Sequence, residues 1–166
     1  NIDEESAKFI QSFEKNSSNR NSQELNWILS NPWILESSAT ENNYLFSSFS
    51  KEFQYYVVKI YHEEKLSDLA ILQLRDGHLK IPYLFCKNGL DCFVEFLENF
   101  IQQRKIKFLT SYQTELNKKI LKKEKINFLY QKDFERRYFM SNDLIEFLPK
   151  NYSFDFQDGD GDCIFT

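Results

Sequence analysis

The chain has 166 residues, of which 42% are hydrophobic and 17% aromatic, with a formal net charge of −4. This length fits one domain, and the apolar content is enough to fill a core. Four glycines and three prolines exclude a collagenous or low-complexity chain, and the aromatic share excludes a disordered acidic tail. The composition therefore predicts one globular domain over residues 1–166.

Charge is unevenly distributed along the chain. Residues 104–137 carry 11 basic and 4 acidic side chains, whereas the flanking parts are acidic. A basic block is found at sites for phosphate-bearing ligands and also on solvated helix faces, and its lysine-rich composition favours the solvated face. Nucleic-acid binding is not predicted, because arginines are few and the aromatic residues follow core periods.

Three cysteines, Cys86, Cys92 and Cys163, match neither a disulfide framework nor a CxxC pair. The apolar stretches are far shorter than a membrane span, and no signal segment opens the chain. We therefore expect a cytoplasmic protein that does not enter a membrane. A cysteine–histidine nucleophilic pair would need one of these thiols beside His62 or His78.

The first part of the chain has helical spacing. Residues 4–14 place Ala7, Ile10 and Phe13 on one face, which predicts a short amphipathic helix. Residues 16–22 have the composition of a polar linker or loop. Ser22 is then expected to cap a second helix, which Pro32 ends. That helix carries Leu25, Ile28 and Leu29.

Three runs between residues 54 and 85 are rich in β-branched and aromatic residues, as strands are. They read QYYVVKIY, LAILQLR and HLKIPYLF, separated by EEKLSD and by Asp76-Gly77. Asp-Gly is a strong two-residue hairpin signal because both positions of a type I′ turn need positive φ. The runs therefore predict a meander of three antiparallel strands.

Pro82 lies inside the third run, where it has no N–H to donate to a ladder. That side of the strand must be an edge, a bulge or a gap. An ordinary edge-strand proline and a sheet that opens at this point both fit.

Helical and strand patterns alternate after residue 87. Residues 88–104 carry an apolar stripe at spacings of three and four, which predicts a long helix. A short strand at 106–110 and a helix at 113–123 follow, and 126–131 with 135–141 read as a closing pair of strands. The alternation implies at least one parallel crossover. Leu116, Ile120 and Leu121 are expected to face inward from the second helix.

This order of elements resembles the GNAT-type N-acyltransferase superfamily without its first strand, over roughly residues 4–141. The resemblance implies an α/β (α+β) fold with a mixed, mostly antiparallel central sheet and helices on both faces. In that family the long helix receives the pyrophosphate of acyl-CoA at its N-terminus. The sheet opens between the fourth and fifth strands to admit the pantetheine arm, and residues 81–85 correspond to the fourth strand.

The resemblance places the acyl donor along residues 81–90. The loop CKNGL keeps Gly89 alone of the family's glycine pattern and is followed by Asp91, so it is divergent. Asn117 matches an asparagine on the helix after the fifth strand. The implied donor contacts are Tyr83, Leu84, Phe85, Lys87, Asn88, Gly89 and Asn117.

The family's general acid is a tyrosine that protonates the departing thiolate. Lysines and Glu124 fill its region here, so Tyr130 and Tyr138 are the candidates, with Tyr112 as a further one. His78 follows the hairpin glycine and is expected to face solvent. A strand-borne polar group serves as general base in such sites, which makes His78 the candidate base.

Residues 142–166 read as a C-terminal extension that ends DGDGDCIFT. The alternating aspartates lack the glycine and glutamate that an EF-hand requires at its sixth and twelfth positions, so no metal is predicted. A glycine-rich turn that delivers residues 163–165 as a terminal strand is expected. The DGDGDC-x-F ending also resembles a group of uncharacterised bacterial proteins in which such a module follows another GNAT-like module.

The only methionine is Met140, so no initiator opens the chain. We expect a piece of a longer protein with an N-terminal companion domain or a homodimeric partner. The predicted function is that of an acyl-CoA-dependent N-acetyltransferase with a divergent donor loop, acting on a small-molecule or peptide amine with acetyl-CoA or another acyl-CoA as donor. The alternative is a non-catalytic GNAT-like module that packs on a partner acyltransferase domain or self-associates. The sequence leans toward an enzyme and leaves both open.

Overall fold

A computed structural model describes residues 1–13, 20–32, 34–36, 49–87, 89–122, 128–133, 141–147 and 157–160. Its helices are α1 (Glu4–Gln11), α2 (Ser22–Ser30), α3 (Asp91–Arg104), α4 (Thr114–Leu121) and α5 (Asn142–Phe147), with a 3₁₀ turn at Asp158–Asp160. Its strands are β1 (Leu35–Glu36), β2 (Phe49–Ser50), β3 (Phe53–His62), β4 (Lys65–Arg75), β5 (His78–Cys86) and β6 (Phe108–Thr110).

The central sheet has the strand order β3-β4-β5-β6. β4 is antiparallel to both β3 and β5, whereas β6 is parallel to β5 and is reached through α3. A separate short parallel pair joins β1 to β2. The mixed, mostly antiparallel α+β fold and the parallel crossover are therefore confirmed.

Both hairpins of the meander turn within two residues. Asp76 and Gly77 have φ values of 49° and 80°, which confirms the predicted turn. The other turn consists of Glu63 and Glu64, also with positive φ. The prediction that all of EEKLSD separates two strands was wrong, because β4 begins at Lys65 and Leu66 already packs against the core.

One face of the sheet is covered by α1 and α2. Burial on this side is close to complete, because all of the buried side chains between the sheet and these helices are under 8% exposed and several are not exposed at all. Association of the two helices with the sheet is driven by removal of this apolar surface from water. The buried residues are Ile2, Phe9, Ile10, Leu25, Ile28, Leu69, Ile71, Tyr83 and Phe85.

The opposite face is covered by α3 and α4, so the sheet has helices on both faces as expected. Leu121 was predicted to face inward but is 51% exposed, because α4 ends at that residue. The buried residues on this side are Ala70, Leu72, Leu74, Leu79, Ile81, Phe93, Val94, Leu97, Leu116 and Ile120.

The first two helices are capped by side chains. Asp3 accepts a hydrogen bond from the Ser6 N–H at 3.0 Å and pairs with Lys59 of β3, which holds the pKa of Asp3 well below its usual range. At α2 the cap is Asn21, in a reciprocal box with Glu24, and not Ser22 as predicted. The helix begins one residue earlier than expected, because the Asn21 side chain accepts from the N–H groups of Gln23 and Glu24 and Ser22 becomes the first helical residue.

The predicted closing strands are not seen where they can be checked. Residues 128–133 contain no strand, so the strand expected at 126–131 is absent over 128–131. Residues 126–127, 135–140 and 163–165 lie outside the described residues. Within the parts of the chain that are described, no helix is long and apolar enough to cross a bilayer.

Candidate functional site

β5 carries a bulge at Ile81 and Pro82. Ile71 of β4 pairs with Tyr83 and Gln73 pairs with Lys80, so two residues of β5 lie opposite Leu72. The extra residue removes the ladder position that a proline cannot fill and increases the local twist. The bulge is therefore one physical reason for Pro82 in an interior strand.

The sheet also opens beside this bulge. β6 pairs with β5 as far as Thr110, which lies opposite Lys80, and the chain then turns toward α4. β5 continues to Cys86. Among the described residues no strand pairs with the outer edge of β5 beyond Lys80. We call the space beside this outer edge the gap.

The gap contains residues 157–160, which we call the latch. The Leu84 N–H donates to Oε1 of Gln157 at 2.5 Å, and the Gln113 side-chain amide lies 3.5 Å from the same oxygen. The Tyr83 hydroxyl donates to the carbonyl oxygen of Gly159 at 2.6 Å. Gln157 is 6% exposed. The backbone edge that a donor would use is thus covered by the chain itself.

Close packing makes glycine necessary at position 159. A Cβ added there would lie 2.2 Å from the ring of Tyr83, nearer than two carbon atoms approach without bonding. Substitution at this position therefore requires the latch to move away from β5.

Three residues of β5 were predicted to contact an acyl donor, and they face different sides of the strand. The rings of Tyr83 and Phe85 are buried and stacked with centroids 6.5 Å apart, on the side of α1 and α2. Leu84 offers its backbone N–H to the gap. Of the three, the Leu84 N–H is therefore the group that reaches the site directly.

A cavity of about 210 Å³ lies at the end of β6. It brings together Asn117, Tyr130 and Tyr112, and Tyr112 adjoins Gln113, the residue near Gln157. The Asn117 side-chain amide donates to the Ser111 carbonyl at 3.0 Å, which fixes its orientation. Tyr130 is 77% exposed. Tyr138 lies outside the described residues.

The N-terminus of α3 is occupied by its own charges. Gly89 has a φ of 88°, and Asp91 in the first turn forms an ion pair with Lys119 of α4 at 2.7 Å. Lys87 lies over the Phe9 ring at 4.7 Å, on the α1 side. Asn88 lies outside the described residues. An anion arriving at this helix end competes with the Asp91 carboxylate for the helix dipole and for Lys119.

His78 lies at the other end of β5. His78 was expected to face solvent, but it is half-buried, and its Nε2 lies 2.8 Å from Oγ1 of Thr110. Burial, followed by the charges of Lys80 and Arg75, lowers the pKa of His78. Six residues at about 3.3 Å each separate it from Leu84, or roughly 17–20 Å. The structure therefore keeps the candidate base away from the gap.

His78 lines a second cavity of about 350 Å³, which lies at the end of the sheet where the β4–β5 hairpin turns. Gln73 and Lys80 lie opposite one another across this cavity, with Arg75 beside His78. Cys92, an alternative nucleophile, is exposed at the start of α3. Cys163 lies outside the described residues. No cluster of three or more potential metal ligands is found in the part of the chain that the structure describes.

Gln157 and Gly159 were missed as site residues by the sequence analysis. The signal for Gly159 was present in the Asp-Gly alternation, which predicted a turn correctly, since a 3₁₀ turn forms at Asp158–Asp160. Nothing in the local sequence indicates that this turn packs on residues 73 and 76 positions earlier, because those contacts depend on the tertiary fold.

Searches with this chain against protein-family models, curated proteins and solved structures gave no match.

Proposed function

We propose that this domain is a GNAT-like N-acyltransferase that receives the carbonyl of an acyl-CoA at the Leu84 N–H. The observation that carries the proposal is the hydrogen bond at this position. A planar amide carbonyl, that of Gln157, already accepts from Leu84 N on an edge of β5 beyond its pairing with β6. A thioester carbonyl has the same planar shape and the same acceptor atom, so it fits the same donor.

The reaction assigns a role to each group. The Leu84 N–H polarises the acyl carbonyl and stabilises the negative charge that develops on its oxygen. The acceptor amine attacks the carbonyl carbon, the new C–N bond forms, and the C–S bond to coenzyme A breaks. Tyr130 donates its hydroxyl proton to the leaving thiolate and is reprotonated by water, which also takes the proton that the amine loses.

The remaining donor contacts follow from the same placement. The pantetheine arm would run along the outer edge of β5 toward Gly89, and the phosphates would meet Lys119 at the α3 N-terminus. Asp91 must then release Lys119. We expect weak binding of acyl-CoA for this reason. Asn117 lines the cavity at the end of β6, and its hydrogen bond to the Ser111 carbonyl keeps the start of α4 in position. We place the protein in the cytoplasm, where acyl-CoA is available.

The first test is an acetyl-transfer assay with acetyl-CoA and a panel of small amines and peptides. We expect Tyr130→Phe to lower turnover about 10²- to 10⁴-fold, because it removes the proton donor and keeps the ring. The matched control is Tyr61→Phe, which removes an exposed hydroxyl that binds Glu5 far from the gap. Equal turnover by the Tyr130→Phe and Tyr61→Phe variants would refute the role of Tyr130.

A second candidate function has its own supporting observation. The latch accepts hydrogen bonds from the Leu84 N–H and the Tyr83 hydroxyl, so both groups already have partners within the chain. This is expected of a domain whose role is to pack on another domain. Exposed apolar side chains, with Leu129 and Phe147 among them, then offer a surface to a companion domain or a second copy. If the domain is such a non-catalytic module, we expect no acetyl transfer by any variant.

A further inference from the structure

We propose that the latch is an internal competitor for the acyl site, so that a carbonyl ligand reaches Leu84 after residues 157–160 leave β5. This inference concerns the regulation of the site and rests on the proposed function. It identifies Gln157 as the group whose carboxamide stands in for the ligand's carbonyl.

The latch and a ligand compete because both would accept a hydrogen bond from the same backbone N–H. The Leu84 backbone has one N–H, and Oε1 of Gln157 occupies it at 2.5 Å. A second carbonyl oxygen at hydrogen-bond distance from the same proton would overlap with Oε1. Closed latch and bound ligand therefore exclude one another.

The latch is built as a fitted element. Gln157 and Asp158 are 6% and 4% exposed, and Gly159 packs so tightly that a methyl group would collide with Tyr83. A one-turn element held on a strand edge by polar contacts nevertheless opens at a lower free energy than core strands do. Ligand affinity is then reduced by the fraction of molecules in which the latch is open.

Amide hydrogen exchange at Leu84, measured by NMR, reports the latch without any ligand. We expect the Leu84 amide to be protected in the unmodified chain and to exchange about five- to tenfold faster in Gln157→Ala, since one neutral hydrogen bond is lost. Gly159→Ala should act in the same direction through the clash with Tyr83. The control, Gln23→Ala at an exposed position of α2, should leave exchange unchanged.

Calorimetric titration with acetyl-CoA then tests the competition. We expect the dissociation constant to fall about five- to tenfold in Gln157→Ala and to stay unchanged in Gln23→Ala. Tyr83→Phe removes the hydroxyl alone and keeps the test informative if Gln157→Ala does not fold; its effect should be smaller and in the same direction.

The two proposals fail in different ways. An unprotected Leu84 amide in the unmodified chain, or equal acetyl-CoA affinity in all variants, would overturn the latch. Protection that is lost in Gln157→Ala, together with no acetyl-CoA binding by any variant, would overturn the proposed function and retain the latch as the element that closes the gap.

Discussion

A single backbone N–H is the centre of the proposed site. Leu84 is chemically ordinary, and its importance comes from position: the proline bulge precedes it, and β6 has already turned away. A backbone donor costs no side-chain ordering when a ligand arrives, which favours its use for charge stabilisation. In the proposed reaction, specificity for the ligand would come from the cavity at the end of β6, which Tyr130 and Asn117 line.

His78 gives a prediction about stability and pH. Its pKa is lowered by burial and by Lys80 and Arg75, so the folded protein keeps it neutral while the unfolded chain protonates it below about pH 6.5. The unfolded state then binds more protons, and the free energy of unfolding falls as the pH drops from about 6.5 toward the folded pKa. Urea unfolding at several pH values should show this slope.

The variant His78→Gln should flatten that part of the profile. His62→Gln, at the exposed end of β3, is the matched control for loss of an imidazole and should keep the slope. A slope that His78→Gln leaves unchanged would contradict the assignment.

Residue-level prediction from the sequence depends on how local the chemistry is. Asn117 and Tyr130 line one cavity, and their assignment to an acyl-donor site stays a prediction. Lys87 was expected near a phosphate but lies against Phe9, since the direction of a side chain at a strand end depends on which helix covers it. The contact between Gln157 and Leu84 joins residues 73 positions apart and has no local signature.

At the scale of elements, the caps decide where helices begin. The Asn21 side chain accepts hydrogen bonds from the N–H groups of Gln23 and Glu24, and the Asn21 backbone N–H donates to the Glu24 carboxylate. We expect Asn21→Ala to lower the free energy of unfolding by about 1 kcal/mol, because the cap bonds are lost. The measurement is the urea midpoint.

The sequence alone favoured Ser22 as the cap, which makes Ser22→Ala the informative comparison. Ser22 is the first residue of α2, so its replacement by alanine should change stability by less than about 0.5 kcal/mol. A larger loss for Ser22→Ala than for Asn21→Ala would mean that the cap lies one residue later.

The strands were predictable to the extent that their patterns were strong. The Asp76-Gly77 hairpin and the β-branched runs identified all three meander strands, because both signals act within a few residues. The polar run EEKLSD hid the start of β4, since Asp68 and Ser67 are buried despite their polarity. The burial of these two residues is a tertiary property that the run itself does not show. The Ser67 hydroxyl donates to the adjacent Asp68 carboxylate.

At the scale of the whole molecule, the topology creates the unpaired edge on which the proposed site lies. An antiparallel meander followed by a parallel strand forces a crossover helix, and the short β6 ends before β5 does. The unpaired edge that results must be covered, because buried backbone donors without partners are costly. In this chain the latch covers it, and we propose that an acyl donor does so during catalysis.

The most direct measurement is an NMR titration of the Gln157→Ala variant with acetyl-CoA, followed at the Leu84 amide. Free coenzyme A is the matched control, because it carries the same nucleotide and pantetheine and lacks the acyl carbonyl. The proposal predicts a downfield shift of the Leu84 amide proton with acetyl-CoA and little change with coenzyme A. An unshifted Leu84 resonance at millimolar acetyl-CoA, in a variant that remains folded, would contradict it.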